Sequence, residues 1–186
     1  MYRHSAGAAF LGLSLLFCFG AQAATVRGKV LDHHGAPVAD AHVFIAQDRR
    51  VRAMDTGEDG VYRFDDVLVR MMELTVYKEG YALGGHTVLP LGDMDVNLVL
   101  TPPAAITIRV INNDFMPIPG ARVTAMVIND MFVVSAEDLA EEGFPLLRAD
   151  DEGVIAIPII PEGGFAKLTV AHHHYAESNI AYLPVD

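Results

Sequence analysis

Apolar and polar side chains alternate along most of this chain with a period of two residues. Small or apolar residues occupy every second position in 26–30, in 41–45 and in 96–100. This period is typical of β-strands that are buried on one face. Asp59-Gly60 and Glu79-Gly80 favour turns between such runs, because glycine takes positive φ without a Cβ clash. The first half is therefore predicted to be a sandwich of seven short strands, near 25–31, 41–47, 50–56, 61–65, 71–77, 83–89 and 94–101.

The pattern occurs twice. Six positions recur 80 residues later, where Val26, Val30, Pro37, Val38, Ala41 and Val43 have the counterparts Ile106, Val110, Pro117, Ile118, Ala121 and Val123. From Gly60 and its counterpart Gly153 onwards the offset is 93 or 94, so the second copy carries about 13 extra residues. The sequence predicts an all-β protein of two tandem sandwiches, at 24–102 and 103–186, with an acidic insertion near 129–148.

The last predicted strand of the first copy, 94–101, has no counterpart in the second. Leu183-Pro184 aligns with Leu89-Pro90, and the sequence ends two residues later. The second domain is thus predicted with seven strands or with six. Three explanations stay open: the insertion supplies the strand, the sheet edge is open, or the sequence is a fragment.

The N-terminus has the pattern of a secretory signal. Arg3 is followed by an apolar run at 6–19, which is too short to span a bilayer, and Ala21-Gln22-Ala23 is a typical cleavage site. We expect residues 1–23 to be a signal peptide, so that the mature protein is periplasmic or secreted. Cleavage would remove Cys18, the only cysteine, and stability would depend on core burial alone.

The net charge restricts the choice of partner. The chain has 24 acidic and 13 basic side chains, a formal charge of −11. Nucleic acids and anionic membrane surfaces bind clustered Lys and Arg, so neither is expected as a partner. Composition leaves the oligomeric state open.

The first copy resembles a known family. It reads Val26-x-Gly28-x-Val30-x-Asp32-x-x-Gly35-x-Pro37-Val38-x-x-Ala41-x-Val43, then Asp59-Gly60-x-Tyr62-x-Phe64, and later Gly80-Tyr81. These motifs are similar to those of carboxypeptidase regulatory-like domains. The second copy is a looser match: Ile108 replaces the first glycine, Phe115 the turn glycine, and Ile155 and Ile157 the two aromatic residues. The resemblance implies transthyretin-like sandwiches that accompany another protein or domain and have no catalysis of their own.

Sequence motifs of common enzymes are missing. After signal removal the chain has no cysteine, and its only serines, Ser135 and Ser178, lie in no recognisable nucleophile motif. Intradiol dioxygenases share such a sandwich and bind iron through two Tyr and two His. Here His172-x-His174 and Tyr175 are an incomplete match, without an upstream segment. We therefore predict that the chain is not an enzyme.

The alternative to a non-catalytic module is a metal-binding site in the second domain. His172-His173-His174 falls at a predicted strand end, and seven acids follow the predicted helix start at Ser135: Glu137, Asp138, Glu141, Glu142, Asp150, Asp151 and Glu152. If strand directions alternate, these loops share one end of the second sandwich, and two domains stacked end to end would leave it free. His172, His174, Asp150 and Asp151 could then hold zinc or copper. The simpler interpretation is a solvated turn beside a solubilising loop.

Two hypotheses about function follow. The first is a non-catalytic exported binding or accessory module whose partner is an envelope protein or a carbohydrate. The second is a periplasmic metal-binding protein that uses the His-rich and acidic loops of the second domain.

Overall fold

The computed structural model describes residues 23–48, 50–130, 132–141, 143–144 and 146–184. The predicted signal peptide lies outside this range except for Ala23, where the first strand begins. The first half contains β1 (Ala23–Asp32), β2 (His42–Gln47), β3 (Arg50–Asp55), β4 (Val61–Leu68), β5 (Met72–Tyr77), β6 (Gly84–Val88), β7 (Met94–Asp95) and β8 (Leu98–Leu100). The second half contains β9 (Pro103–Arg109), β10 (Arg122–Ile128), β11 (Phe132–Ser135), α1 (Ala136–Glu141), β12 (Val154–Pro161), β13 (Phe165–His172) and β14 (Tyr175–Pro184). Within these residues no helix has the length and apolar character needed to cross a membrane.

The first half is the predicted β-sandwich. One sheet has the order β4-β1-β7, with β8 pairing further along the same edge of β1, and the other has the order β3-β2-β5-β6. Alternate side chains from both sheets fill the core between them, among them Val26, Val43, Tyr62 and Leu74. The predicted strand 94–101 is divided into β7 and β8, both parallel to β1.

The break between β7 and β8 has a specific cause. The N–H of Val96 donates to the carbonyl of Arg27 over 2.8 Å, which brings this segment across β1 at Gly28. A Cβ at Gly28 would lie 1.8 Å from the carbonyl oxygen of Val96. The buried hydroxyl of Tyr62 donates to that same oxygen over 2.5 Å. Burial raises the pKa of the Tyr62 phenol, so it stays a donor. Gly28 and Tyr62 together hold the last strand in place.

The strand pairs of the second half repeat those of the first in register. Gly28 faces Tyr62 between β1 and β4, and Ile108 faces Ile155 between β9 and β12. In the other sheet, the pair Val43–Val76 between β2 and β5 corresponds to the pair Val123–Val170 between β10 and β13. The turn glycines Gly60 and Gly153 also match: each has positive φ, and a Cβ would lie 2.6 Å from a backbone carbonyl oxygen of the neighbouring strand. These strand pairs and turn glycines therefore keep the offsets read from the sequence.

The insertion in the second half is amphipathic. The pattern after Ser135 predicts a short helix over 139–142 that ends at Gly143; the helix instead begins directly after Ser135 and ends at Glu141, before Gly143 at φ +83°. Phe144, Leu147 and Ala149 then turn inwards and join the second core. The described acidic residues Glu141, Asp150, Asp151 and Glu152 are exposed, whereas these three apolar side chains of the same segment are buried.

The two halves do not stack end to end, and this expectation is wrong. The outer face of the sheet β3-β2-β5-β6 packs against the second half: Phe44, 2% exposed, and Leu83 belong to the second core. The backbone N–H of Leu83 donates to the carbonyl of Ile159 over 2.8 Å. The Tyr77 ring meets Phe144 edge-on at 5.0 Å between ring centroids. The halves lie side by side because Val43, Phe44 and Ile45 in β2 are all apolar, which leaves both faces of the sheet to be buried.

The Gly28→Ala substitution should destabilise the protein by about 1–3 kcal/mol or more, because the methyl group must displace the segment between β7 and β8. Gly92→Ala is the matched control, since a Cβ there meets nothing within 4 Å and φ is not positive. It should be neutral or slightly stabilising. Chemical denaturation measures both. If both substitutions change the free energy of unfolding by the same small amount, the segment between β7 and β8 does not lie in close contact with Gly28.

Candidate functional site

The predicted histidine ligands form a tight turn between β13 and β14. His172 pairs with Tyr175, and His173 and His174 make the two-residue connection. The backbone N–H of His174 donates to Nδ1 of His172 over 3.2 Å. The ring centroids of His172 and His174 are 5.7 Å apart. The prediction that these residues lie at a strand end is confirmed. Nδ1 of His172 already accepts a hydrogen bond within the turn.

Arginines are the charged neighbours of this turn. A cavity of about 340 Å³ beside it is lined by Arg122, Arg148, His172 and His173, together with Gly120, Leu146 and Ala171. Desolvation at the turn lowers the pKa of His173, although its side chain is exposed, and the charges of His174, His172 and Arg148 lower it further. Positive charges disfavour both a protonated imidazole and a bound cation. Arg122 and Arg148 therefore disfavour a bound cation on this side of the turn.

The predicted carboxylate ligands, Asp150 and Asp151, lie in the turn before β12 and not in the histidine turn. Asp150 accepts hydrogen bonds from the N–H groups of Glu152, at 3.0 Å, and Val154, at 2.8 Å, and so stabilises the turn before β12. It lines a cleft between the two halves with Tyr77 and Phe144. Asp151 is exposed in the same turn. Among the residues that the structure describes, no three His, Cys, Asp or Glu are grouped to hold a metal ion. The zinc or copper site stays a prediction from the sequence.

The largest concave feature near the histidine turn lies on its other side. This cavity of about 710 Å³, here called the end groove, has one wall made by residues 109–114 and the other by residues 170–172 and 175–180. Val110, Ile118, Val170 and Ile180 give it an apolar floor. Asn112, Asp114 and His172 supply polar groups at its end. A concave site that combines apolar side chains with polar groups can bind a ligand, and the lining of the end groove mixes the two almost evenly.

Exposed apolar side chains extend the end groove onto the surface. Ile111 and Tyr175 line it, and Phe115 and Met116 follow in the adjoining turn. Phe115 is 80% exposed and has φ +61°, where its equivalent in the first half is Gly35 at φ +84°. A residue other than glycine in the left-handed region costs about 1–2 kcal/mol of backbone strain. The exposed ring of Phe115 does not offset this cost, because it buries no apolar surface. The sequence shows Phe115 in place of the motif glycine, but the sequence alone does not show that its ring is exposed.

We expect the imidazole of His173 to titrate below the ordinary histidine pKa, because of its desolvation at the turn and its cationic neighbours. Arg148→Gln should raise this pKa, while Arg63→Gln, in the first half and paired with Asp65, should leave it unchanged. NMR titration of the histidine ring signals measures this. A His173 pKa that does not respond to Arg148→Gln would contradict the electrostatic account.

The same spectra decide the metal prediction. Zinc bound by His172 and His174 would shift both ring signals in a saturable manner, and the shifts would vanish as the imidazoles protonate at lower pH. We expect no saturable shift, since Arg148 lies beside the turn and Asp150 is engaged in another turn. Saturable shifts that His172→Ala and His174→Ala abolish would confirm the metal site instead.

Comparison with solved structures gives several distant similarities. A DUF3823 family protein from Parabacteroides merdae is 13% identical, with a TM-score of 0.39, covering 90% of this chain and 100% of that one. A 3-chlorocatechol 1,2-dioxygenase from Rhodococcus opacus is 14% identical, with a TM-score of 0.39, covering 45% of this chain and 60% of that one. The TIE protein of Bacillus anthracis is 12% identical, with a TM-score of 0.37, covering 88% of this chain and 31% of that one. This chain thus spans less than two thirds of the last two proteins, and at these scores none of the three carries an argument about function.

Comparison with families gives a direct answer for the first half. No curated protein matches the chain. Residues 25–101 match the family model of the carboxypeptidase regulatory-like domain, which confirms the resemblance that Gly28, Pro37 and Tyr62 help to carry.

Proposed function

We propose that this chain is a non-catalytic, exported binding module made of two carboxypeptidase regulatory-like sandwiches. The free end of the second sandwich binds the partner, an envelope protein or a carbohydrate. The match over residues 25–101 and the equivalent strand pairings of the second half support this assignment. Export rests on the apolar run at 6–19 and the Ala21-Gln22-Ala23 site, which the sequence alone provides.

The observation that carries the binding role is the apolar end of the second half. Ile111, Phe115, Met116 and Tyr175 are exposed around the end groove. Isolated exposed apolar residues are ordinary, but a group of them beside a concave site is typical of a surface that binds a partner. The positive φ of Phe115 adds to this argument. Backbone strain at a residue that contributes nothing to a core is typical of a functional position.

The polar motif residues of the first half support a structural role. Asp32 accepts from the N–H groups of His34, at 2.8 Å, and Ala36, at 2.9 Å, and the Ala36 bond is the main reason that its pKa lies below the usual range. The buried hydroxyl of Thr56 donates to the carbonyl of Val38 over 2.7 Å and accepts from the N–H of Ala41 over 2.9 Å. These groups stabilise turns, and their hydrogen bonds leave them poorly suited to act as general acids or bases.

Photo-crosslinking tests the proposal. A photoreactive phenylalanine analogue at Phe115, in cells that make this protein naturally, should give a light-dependent adduct, and mass spectrometry of the adduct tells protein from carbohydrate. The matched control is the same analogue at Leu91, which is 78% exposed in the first half, close to the 80% of Phe115. We expect at least a tenfold higher adduct yield from position 115. Equal yields at the two positions would refute a binding surface at this end.

A further inference from the structure

A pair of arginines in the second half takes the place of a histidine–aspartate pair in the first. In the first half, His42 lies opposite Asp55 between β2 and β3, and Nδ1 of His42 is 2.7 Å from a carboxylate oxygen of Asp55. In the second half, Arg122 at the start of β10 lies opposite Arg148 in an antiparallel bridge. One position of the sheet thus has a base and an acid in the first half and two cations in the second.

Backbone hydrogen bonds support this equivalence. In both halves the residue that follows this position donates its N–H to the start of the neighbouring strand: Thr56 to the carbonyl of Ala41 over 3.0 Å, and Ala149 to the carbonyl of Ala121 over 2.7 Å. Asp55 and Arg148 directly precede these donors. They are therefore equivalent, and the two arginines together replace the histidine–aspartate pair.

A small residue opens the space in front of the two arginines. Ala171 on β13 lies opposite Arg122, whereas the first half has Tyr77 opposite His42. Residues that are opposite each other across a ladder place their side chains on the same face, so a methyl group stands here in place of a large ring. Ala171 lines the cavity of about 340 Å³ beside the histidine turn, together with both arginines.

Gly120 makes room for the second guanidinium. A Cβ at Gly120 would lie 3.0 Å from Nη2 and 3.4 Å from Nε of Arg148, so the guanidinium rests against the glycine backbone. The first half has Asp40 at this place, and the N–H groups of Asp40 and Gly120 each donate over 3.0 Å to equivalent carbonyls. The replacement of aspartate by glycine both opens the space and removes a carboxylate.

Neither arginine of this pair has a carboxylate partner in the part of the chain that the structure describes. The arginine ion pairs of that part involve Arg27, Arg63 and Arg70. Asp150, the acid nearest to Arg148 along the chain, accepts two backbone N–H groups in its own turn. Like charges directly opposite each other on neighbouring strands are destabilising. The arginine pair therefore destabilises the fold unless an anion neutralises it.

We propose that Arg122 and Arg148 bind the phosphate group of a phosphate monoester in this cavity. Opposite residues have Cβ atoms about 4.5–5.5 Å apart, so the two guanidinium groups can reach one anion. Each guanidinium can donate two parallel N–H bonds to oxyanions. A phosphate monoester has a charge of about −1.5 to −2 at neutral pH, which matches two arginines, whereas a carboxylate has a single charge.

The volume and the other lining residues fit a phosphate with an organic body. The cavity of about 340 Å³ is at the lower end of the range for organic ligands, about 300–1,000 Å³. Leu146 supplies an apolar wall. Nδ1 of His172 accepts the N–H of His174, so in the neutral ring the proton is on Nε2, which can donate to a phosphate oxygen. Because the cavity and the end groove lie on opposite sides of the histidine turn, this inference goes beyond the proposed function and does not involve Phe115.

Titration of the ¹⁵N-labelled full protein in a buffer without phosphate tests the site. The probe is glucose 6-phosphate, and we expect it to shift the amide signals of Gly120, Arg122 and Arg148 in a saturable manner. Inorganic phosphate should shift the same signals. Glucuronate, with a single charge on a similar ring, should bind at least tenfold more weakly, and glucose should not bind.

The probes give two results that would overturn the inference. If neither glucose 6-phosphate nor inorganic phosphate produces saturable shifts at these residues, the arginine pair binds no phosphate. If glucuronate binds as tightly as glucose 6-phosphate, the site does not select the doubly charged group. Either result would leave the crosslinking test of the proposed function unaffected.

Three variants that each remove one positive charge test the role of the arginines. Arg122→Gln and Arg148→Gln should each weaken the binding of glucose 6-phosphate tenfold or more. Arg50→Gln is the matched control, because Arg50 is exposed on β3 and lies outside the lining of the cavity. Equal losses in all three variants would mean that only the net charge matters, and the inference would be wrong.

Filling the cavity tests its position. Ala171→Tyr introduces the side chain that the first half has at the equivalent position, and it should abolish binding of glucose 6-phosphate. Ala105→Tyr is the control, since Ala105 is exposed on β9 and does not line the cavity. Binding that survives Ala171→Tyr, or that both variants abolish equally, would contradict a site in this cavity.

Arg148→Asp separates binding from folding. It introduces the residue found at the equivalent position of the first half, so that attraction to Arg122 replaces repulsion. Without ligand, the melting temperature should rise by about 1–4 °C over that of the parent. Glucose 6-phosphate should no longer bind, and misfolding could not explain this loss in a more stable variant. Retained binding, or a melting temperature below that of the parent, would refute the inference.

Discussion

The sheet β3-β2-β5-β6 is apolar on both faces, and the arrangement of the molecule depends on this. Val43 and Ile45 point into the first core, while Phe44 between them joins the second. A strand with such a run cannot remain at a solvated surface without exposing a large ring to water. Burying Phe44 contributes about 1.5–3 kcal/mol, and the insertion supplies the covering surface through Phe144 and Leu147. The two sandwiches are therefore one structural unit.

The side-by-side packing determines which surfaces remain available. One face of the first half is covered by the insertion, whose Phe144 and Leu147 pack between the halves, while its Leu146 and Arg148 line the cavity beside the histidine turn. The free end of the second half then presents the histidine turn, the end groove and Phe115. Two substitutions relative to the first half, Ile108 for Gly28 and Ile155 for Tyr62, remove the features that hold a last strand.

Local features of the fold could be read from the sequence, and long-range ones largely could not. Alternation placed the strands to within a few residues, since the strand period is a local property, and Ser135 indicated the start of the short helix for the same reason. The metal hypothesis needed His172 and Asp150 in one place, which depends on packing, and the structure uses them in separate turns. The apolar run in β2 was a visible sign of a sheet buried on both faces. The end groove could not be predicted from local sequence, because its walls come from segments about 60 residues apart. The only related sign in the sequence is that the second copy has no counterpart of 94–101.

The most direct test of this account is calorimetric unfolding of the parent chain and of Phe44→Ala. If the halves are one unit, the parent unfolds in a single transition whose calorimetric and van't Hoff enthalpies agree. Phe44→Ala should cost about 3–5 kcal/mol and separate the transition into two, because the ring joins the second core from the first half. A parent that already unfolds in two independent transitions, neither of which Phe44→Ala shifts, would contradict the account.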